Sequence, residues 1–382
     1  MDKMAALSGV RVLELAGLAP APFAGMILAD FGATVTRVDK VKSFMTLDRL
    51  ARGKRSIALD LKSPRGVETF RRLCSKTDVM IEPFRPGVME QLGLGPKTLM
   101  KENPRLIYAR LTGFGQDGPM ASQAGHDINY IAISGMLSML GRKDSNLMPP
   151  LNLLGDFAGG GLMCVMGILI ALLERNNSGQ GQVIDSAMID GAAYIGSFVY
   201  KSRDIWPAER GGNLLDTGAH FYDTYQTLDG KFVSVGAIEP KFYKVLLEGL
   251  GIREDDLSQQ LNFKTWAEKK KNFAKVFATK TRDEWCEIFK GTDACFAPVL
   301  SLDEAPLHPH NQRRNTFMKN GDEYEPTPAP KLSRTPGNCT PRRQPSVGQH
   351  TIEVLLEAGF GQDEVTDLLK KGVIESQTKS SL

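Results

Sequence analysis

VRVLELAGLAPAPFAGMILADFGATVTRVD, residues 10–39, reads as strand, helix, strand. VRVLEL (10–15) and ATVTRVD (33–39) are short runs rich in β-branched and aliphatic residues, and PAPFAGMILADFG (20–32) between them has helical texture. The same alternation continues through SIALDL (56–61), DVMIEPF (78–84) and LIYARLTGFG (106–115), with the helical PRGVETFRRLCSK (64–76) in between. Strands and helices alternating at this spacing predict an α/β domain, its mostly parallel sheet covered on both faces. Ligands of such domains gather at the carboxyl ends of the strands.

The first strand is followed by AGLAPAPFAG, with two prolines where a dinucleotide-binding turn would carry G-x-G-x-x-G. The sheet is therefore read as Rossmann-like in layout, without support for a nicotinamide or flavin cofactor. From about residue 200 the texture changes. RDIWPAERGGNLLDTG (203–218) reads as a connection, and TYQTLDGKFVSVGAI (224–238) as a β-hairpin. A long periodic stretch, 261–291, follows as helix, with Lys269–Lys271 on a solvated face. The expected division is a large domain over 1–200, a connecting segment over 201–220, a smaller α+β domain over 221–320, and a return segment over 321–382. Within that last part, 320–348 is proline-rich and extended, and HTIEVLLEAGF (350–360) is a helix that packs back on the large domain.

A chain of 382 residues fits about two domains, and 42% hydrophobic with 24% charged residues is the composition of a soluble enzyme. A net charge of +3 is too small to argue for nucleic acid. Five cysteines without a C-x-x-C pair read as free thiols, and no metal site is expected. The longest apolar run, FAGGGLMCVMGILIALL (157–173), lies between Asp156 and Glu174 and is short for a bilayer span. It reads as a buried core helix whose glycines, at the helix start, pack closely against backbone or ligand. No membrane span or cleavable secretory signal is expected. The chain ends Ser380-Ser381-Leu382, a near match to the S-K-L signal read by a peroxisomal import receptor.

Several residues have the chemistry of a site. His126 in AGHDINY (124–130) is either a buried histidine capping a helix or a base with a pKa near neutrality. Asp127 beside it orients the imidazole or caps the following helix. Asp156 in LNLLGDFAGGG (151–161) is an N-cap kept ionised by backbone amides, a proton acceptor or a nucleophile. Glu239, at the end of the strand FVSVGAIE, is a cap or a supporting acid. Residues 41–72 hold nine Lys or Arg against three acids without interleaved aromatics, a pattern that suits a small polyphosphate ligand better than single-stranded nucleic acid. Met136, Met139, Met163 and Met166 offer a soft apolar surface to an acyl chain, or are simply core.

Taken together, these stretches resemble a known family. Residues 10–39, LDLKSPRG (59–66), IEPFRPGVMEQLGLGP (81–96), NPRLIYARLTGFGQDGP (103–119), AGHDINY (124–130), PPLNLLGDFAGGG (149–161), GQGQVIDSAM (179–188), GAIEPKFY (236–243), TDACFAPVL (292–300) and PTPAPKLSRTPG (326–337) are similar to the alpha-methylacyl-CoA racemases of the family III CoA-transferase superfamily. The resemblance implies an isomerase of fatty-acid and bile-acid metabolism. It would interconvert (2R)- and (2S)-2-methylacyl-CoA thioesters without a separate cofactor, coenzyme A being part of the substrate. His126 and Asp156 would be the two acid/base groups and Glu239 a supporting residue. Coenzyme A would lie along Lys40, along Leu59, Asp60, Leu61 and Lys62, and along Gly125, His126, Asp127, Ile128, Asn129 and Tyr130, with Arg85 a further phosphate contact. Position 40 departs from the family, where arginine is usual. Lysine keeps the charge but loses the planar stacking group. Backbone amides at Gly159–Gly161 are candidates for the enolate contact.

The resemblance further implies an interlaced homodimer, its active site between the large domain of one chain and the small domain of the other. It also implies a mitochondrial location beside the peroxisomal one read from the C-terminal residues. The nearest alternative function is a family III CoA transferase using Asp156 as nucleophile. An inactive CoA-binding protein ranks third, because both acid/base groups are present. His126 separates the first two, since a transferase has no use for a base on the far side of its substrate.

Overall fold

The computed structural model describes residues 5–43, 47–253 and 259–377. Twelve strands are present among them: β1 (Arg11–Leu15), β2 (Thr34–Asp39), β3 (Arg55–Leu59), β4 (Val79–Glu82), β5 (Ile107–Thr112), β6 (Val183–Ala187), β7 (Tyr222–Gln226), β8 (Phe232–Gly236), β9 (Phe296–Val299), β10 (Phe317–Asn320), β11 (Glu323–Pro326) and β12 (Ile374–Glu375). Seven of them form one sheet in the order β12-β3-β2-β1-β4-β5-β6. All its pairings are parallel except the antiparallel β12–β3 edge. The opening stretch is the strand-helix-strand unit read from it, with its helix at Pro20–Asp30. Strand order reverses between β1 and β4, where folds of this kind open a ligand crevice.

Side chains of successive strand residues point to opposite faces, and each face has its own core. On one face Leu13, Leu15, Val38, Ile57, Leu59, Met80 and Tyr108 pack with residues of the helices Pro64–Cys74, Thr351–Glu357 and Gln362–Lys370. On the other, Val12, Val35, Val79, Ile81, Ile107 and Leu111 pack with residues of the helices Pro20–Asp30 and Met163–Ser178.

The chain divides into two compact units. The first comprises 1–134, 151–196 and 315–382, and the second 135–150 and 197–314. The stretch 135–150, assigned above to the large domain, groups with the second unit. That unit contains the predicted hairpin, β7 and β8, extended by β9 into a three-stranded antiparallel sheet. An aromatic core including Phe221, Tyr243, Trp266, Phe273, Phe277 and Trp285 packs within it. The periodic stretch is two helices, Trp266–Phe277 and Arg282–Phe289. Lys269 is buried rather than solvated, and Lys270 pairs with Asp223 at 2.9 Å. Part of the return segment forms the hairpin β10–β11. Two elements absent from the sequence reading, the helix Gln362–Lys370 and strand β12, close the chain's described part.

The apolar run is also corrected. Leu153–Leu162 is a π-helix that continues as the α-helix Met163–Ser178. Together they are long and apolar enough to span a membrane by length and composition. Only one face is buried, through Cys164, Val165, Ile168 and Ala171, while Leu162, Met166, Leu169, Ile170 and Leu173 are exposed.

Glu14 is the penultimate residue of β1, fully buried on the same face as Val12. Lys54, just before β3, reaches both its carboxylate oxygens at 2.7 and 2.9 Å and donates to the carbonyl of Pro22 at 2.8 Å. The bonds tie β1, the entry to β3 and the first turn of the helix Pro20–Asp30. Removing one partner of such a pair strands the other without compensation. Lys54→Met is expected to lose about 3–5 kcal/mol of stability in urea unfolding. Adding Glu14→Leu is expected to recover much of it. A single-variant loss under about 1 kcal/mol would show that the pair contributes no more than a surface ion pair.

Candidate active site

The predicted crevice is present. A cavity of about 430 Å³ opens at the carboxyl ends of β1 to β4, lined by Leu15, Asp39, Lys40, Leu59, Asp60, Leu61, Lys62, Phe84 and Val88 among others. Five residues picked out in sequence, Lys40 and Leu59 to Lys62, thus share one wall. The turn after β3 is held by Asp60, whose Oδ1 accepts from Lys62 N at 3.0 Å and whose carbonyl accepts from Ser63 Oγ at 3.1 Å. Gly66 is required here, because a Cβ would stand 1.8 Å from the Asp60 carbonyl oxygen.

The basic stretch around this crevice is not a phosphate cluster. Arg52 is bound to Asp30 and Glu325, Lys54 to Glu14, Arg55 to Glu353 and Glu357, and Arg65, Arg71 and Arg72 to Asp367, Glu102 and Glu364. Most of these cations therefore hold the domain together. Lys40 and Lys62 are exposed on the cavity wall and have no ion pair among the described residues.

A second group of residues forms past the end of β5. His126 is the N-cap of the helix Asp127–Ile133 and is exposed, not buried. Its backbone N–H donates to Asn129 Oδ1 at 3.0 Å. Tyr130 is buried, donates to the Gly125 carbonyl and stands edge-on to Phe114 at 5.0 Å. Asp127 neither orients the imidazole through a hydrogen bond nor caps its own helix. Its Oδ2 accepts from the backbone N–H groups of Gly155 and Asp156, at 2.6 and 2.7 Å. These are donors at the start of the π-helix, so Asp127 fastens the segment that carries Asp156. Gly155 must be glycine for this approach, since a Cβ would meet Asp127 Oδ2 at 2.7 Å.

Asp156 is inside the π-helix and not its N-cap. Burial pushes its carboxyl above the ordinary range. The Asn152 Nδ2–H bond at 3.1 Å and the charge of His126 oppose that rise, and the charge of Asp127 adds to it. The expectation of a carboxylate held ionised by amides is overturned, because Asp127 has taken the amides. The same bonds bring His126, the residue before Asp127, close to Asp156. Arg85 is exposed and outside the cavity lining. It acts electrostatically on Tyr130 and directly follows Phe84, which does line the cavity. The chain at 84–85 therefore links the two groups.

Gly159–Gly161, suggested above for the enolate contact, do not open a helix. They lie beyond the first turn of the π-helix, buried against other backbone. A Cβ on Gly159 would meet Ala192 N at 2.6 Å, one on Gly161 the Pro20 carbonyl at 2.8 Å, and one on Gly191 the Gly159 carbonyl at 1.9 Å. Glu239 lies in the second unit, exposed at the N-cap of the helix Pro240–Leu250. The four methionines do not share one surface within a unit. Met136 and Met139 line a cavity of about 360 Å³ in the second unit with Tyr200 and Trp206, while Met163 and Met166 belong to the first. Sequence reasoning missed Asn152 and the bond from Asp127 to the π-helix. The only signal was the pairing of Asp127 with a downstream glycine-rich segment, which spacing cannot show.

Comparison with known proteins places these residues in context. The model of CoA-transferase family III matches residues 7–351. Alpha-methylacyl-CoA racemase of Mus musculus is 57% identical over 373 residues, covering 97% of this chain and 98% of the mouse protein. That of Homo sapiens is 54% identical over 381 residues, covering 99% of this chain and 100% of the human one. A crystal structure of a CAIB/BAIF family protein from Brucella suis superposes with a TM-score of 0.78 at 25% identity, over 93% of this chain and 99% of that one.

The Asp156 environment has a consequence for stability. A carboxyl whose folded pKa lies above its unfolded value favours folding while protonated, and that contribution is lost as pH rises through the folded pKa. Asp156→Asn keeps an acceptor for Asn152 and removes the buried charge. Its melting temperature is expected to exceed that of the wild type at pH 7–8, and the gap to close at a pH below the ordinary carboxyl range. A lower melting temperature than wild type at pH 7–8 would contradict the burial described.

Proposed function

The chain belongs to CoA-transferase family III, and from that premise we propose that it is a racemase, interconverting (2R)- and (2S)-2-methylacyl-CoA thioesters. The observation that carries the reading is the bond from Asp127 to the amides of Gly155 and Asp156, which brings its neighbour His126 close to a half-buried Asp156 whose carboxyl is raised by burial. The α-proton of a thioester is only weakly acidic. Its removal needs a positioned base, and inversion needs a second group to return a proton from the other side. In this proposal His126 and Asp156 take the two roles and exchange them with substrate handedness. Asp127 acts by holding the π-helix that carries Asp156. No further cofactor is required, because the thioester itself acidifies the proton.

The cavity at β1–β4 takes the nucleotide end of coenzyme A in this reading. Lys40 and Lys62 supply charge for phosphate, and Arg85 stands on the way to the reacting end. Acyl chains of the 2-methyl-branched fatty acid and bile-acid type are the proposed substrates. Glu239 is retained as a supporting acid. A homodimer is proposed to cover the exposed apolar face of Leu162, Met166, Leu169, Ile170 and Leu173. Peroxisomal import, with a mitochondrial location beside it, is proposed from Ser380-Ser381-Leu382, which lie outside the described residues.

Incubation of each 2-methylacyl-CoA epimer in deuterated water is expected to yield both epimers with deuterium at the α-carbon. His126→Ala and Asp156→Ala are each expected to slow this by roughly 100-fold or more. Asp127→Ala is expected to slow it by about tenfold or more through misplacement of Asp156. Absence of exchange in the wild type, with transfer of CoA to an added carboxylic acid, would make the protein a transferase instead.

A further inference from the structure

The two loops that line the proposed nucleotide cavity, after β2 and after β3, are both fastened by the same short strand. β12 pairs antiparallel with β3, Ile374 opposite Leu59 and Glu375 opposite Ala58. The carbonyl of Val373 accepts from Asp60 N at 2.8 Å, so the turn that carries Leu59 to Lys62 is pinned from this side. Glu375 extends the hold to the neighbouring loop. Its Oε2 accepts from Lys42 N at 2.7 Å, across 333 residues of sequence. Lys42 has φ of 60°, the left-handed region that a non-glycine residue occupies only when its surroundings impose it. A carboxylate on its amide is a charge-assisted bond of the kind that imposes such a turn. Lys40, two residues earlier, is one of the two exposed lysines of the cavity wall.

We infer that Glu375 is a positioning residue for substrate binding: it fixes the loop that presents Lys40 to the nucleotide end of the acyl-CoA. Strand β12 itself is anchored independently. Val373 and Ile374 are buried in the core with Leu59, Val365 and Leu368, so removing the Glu375 carboxylate releases the Lys42 loop without releasing the strand. Glu375 touches neither the cavity nor the His126–Asp156 pair, and its contribution is confined to binding. The inference rests on the reading that the cavity receives the nucleotide.

The test compares Glu375→Ala, Glu375→Gln and Leu61→Trp in the full-length enzyme, measuring kcat and KM for a 2-methylacyl-CoA and the Kd of free coenzyme A. Glu375→Ala is expected to raise KM and Kd roughly three- to tenfold with kcat within about twofold of wild type. Glu375→Gln, whose amide oxygen still accepts from Lys42 N, is expected to restore most of the affinity. Leu61→Trp, which fills the cavity, is expected to raise KM and Kd whatever the state of Glu375. An unchanged KM in Glu375→Ala, with Leu61→Trp impaired, overturns the role of Glu375 and leaves the cavity reading standing. A fall in kcat matching the rise in KM, not rescued by glutamine, marks Glu375 as a general structural residue and also overturns it. Unchanged binding in Leu61→Trp overturns the cavity reading, and the inference with it.

Discussion

Glu14 is a buried carboxylate in the central strand of the parallel sheet, among Val12, Leu13 and Leu15, and its neighbours are arranged to satisfy it. Lys54 approaches at 2.7 Å and spends a further N–H on the Pro22 carbonyl. The helix that follows β1 must then lie so close that only glycine fits at position 25, where a Cβ would fall 1.6 Å from Glu14 Oε2. The same helix supplies the surface on which the π-helix rests, Gly160 and Gly161 against Pro20 and Phe157 edge-on to Phe23 at 5.0 Å. A chain of close approaches thus runs from a buried ion pair to the segment bearing Asp156. Buried pairs often stabilise no more than apolar residues would, and their better-supported role is to select one arrangement over its alternatives. Here the arrangement selected is the depth at which the helix Pro20–Asp30 sits on the sheet.

Charge is distributed by function in the first unit. Arg37 with Asp39 and Asp48, Arg110 with Glu82 and Glu90, and Arg52 with Asp30 and Glu325 are pairs with at least one buried partner, and between them they tie strands, helices and loops together. The cations on the crevice wall, Lys40 and Lys62, are exposed. The region around Asp127 and Asp156 follows a different rule. Asp127 gives its Oδ2 to two backbone amides, and Asp156 is left with one Asn152 amide and a half-buried setting. Two neighbouring aspartates are thereby given different work by their environments, one as a fixed clasp and one with its proton affinity raised.

Much of this was legible in the sequence. The β1–helix–β2 unit, the parallel sheet and the β7–β8 hairpin follow from alternation of strand and helix texture and from turn chemistry, which are local properties. Lys40 and Leu59 to Lys62 were picked out by the resemblance, and they line one crevice because they sit at strand ends, which share one edge of the sheet. What was not legible depended on contacts distant in sequence. Asp156 looked like a cap because it precedes glycines, but the true cap is Asp127, 29 residues earlier. The basic stretch 41–72 looked free because its partners, Glu325, Glu353, Glu357, Glu364 and Asp367, lie near the other end of the chain. The apolar run 157–173 looked buried because composition does not report which side of a helix meets the sheet.

The π-helix at Leu153–Leu162 has one more consequence. Its bonds close over five residues instead of four, so it contains the equivalent of an inserted residue relative to an α-helix. Such a register is retained where packing repays the poorer geometry, and the glycines at 155, 159, 160 and 161 allow that packing on several sides. Deleting one residue between Asp156 and Met163 would let the segment relax into the α-helix that follows. Asp156 would then swing by about 100° around the axis, the angle between successive α-helical residues. The direction of the Asp156 carboxylate is therefore stored as a count of residues, and a lineage that lost that count would keep the helix, the sheet and the crevice while aiming this acid elsewhere.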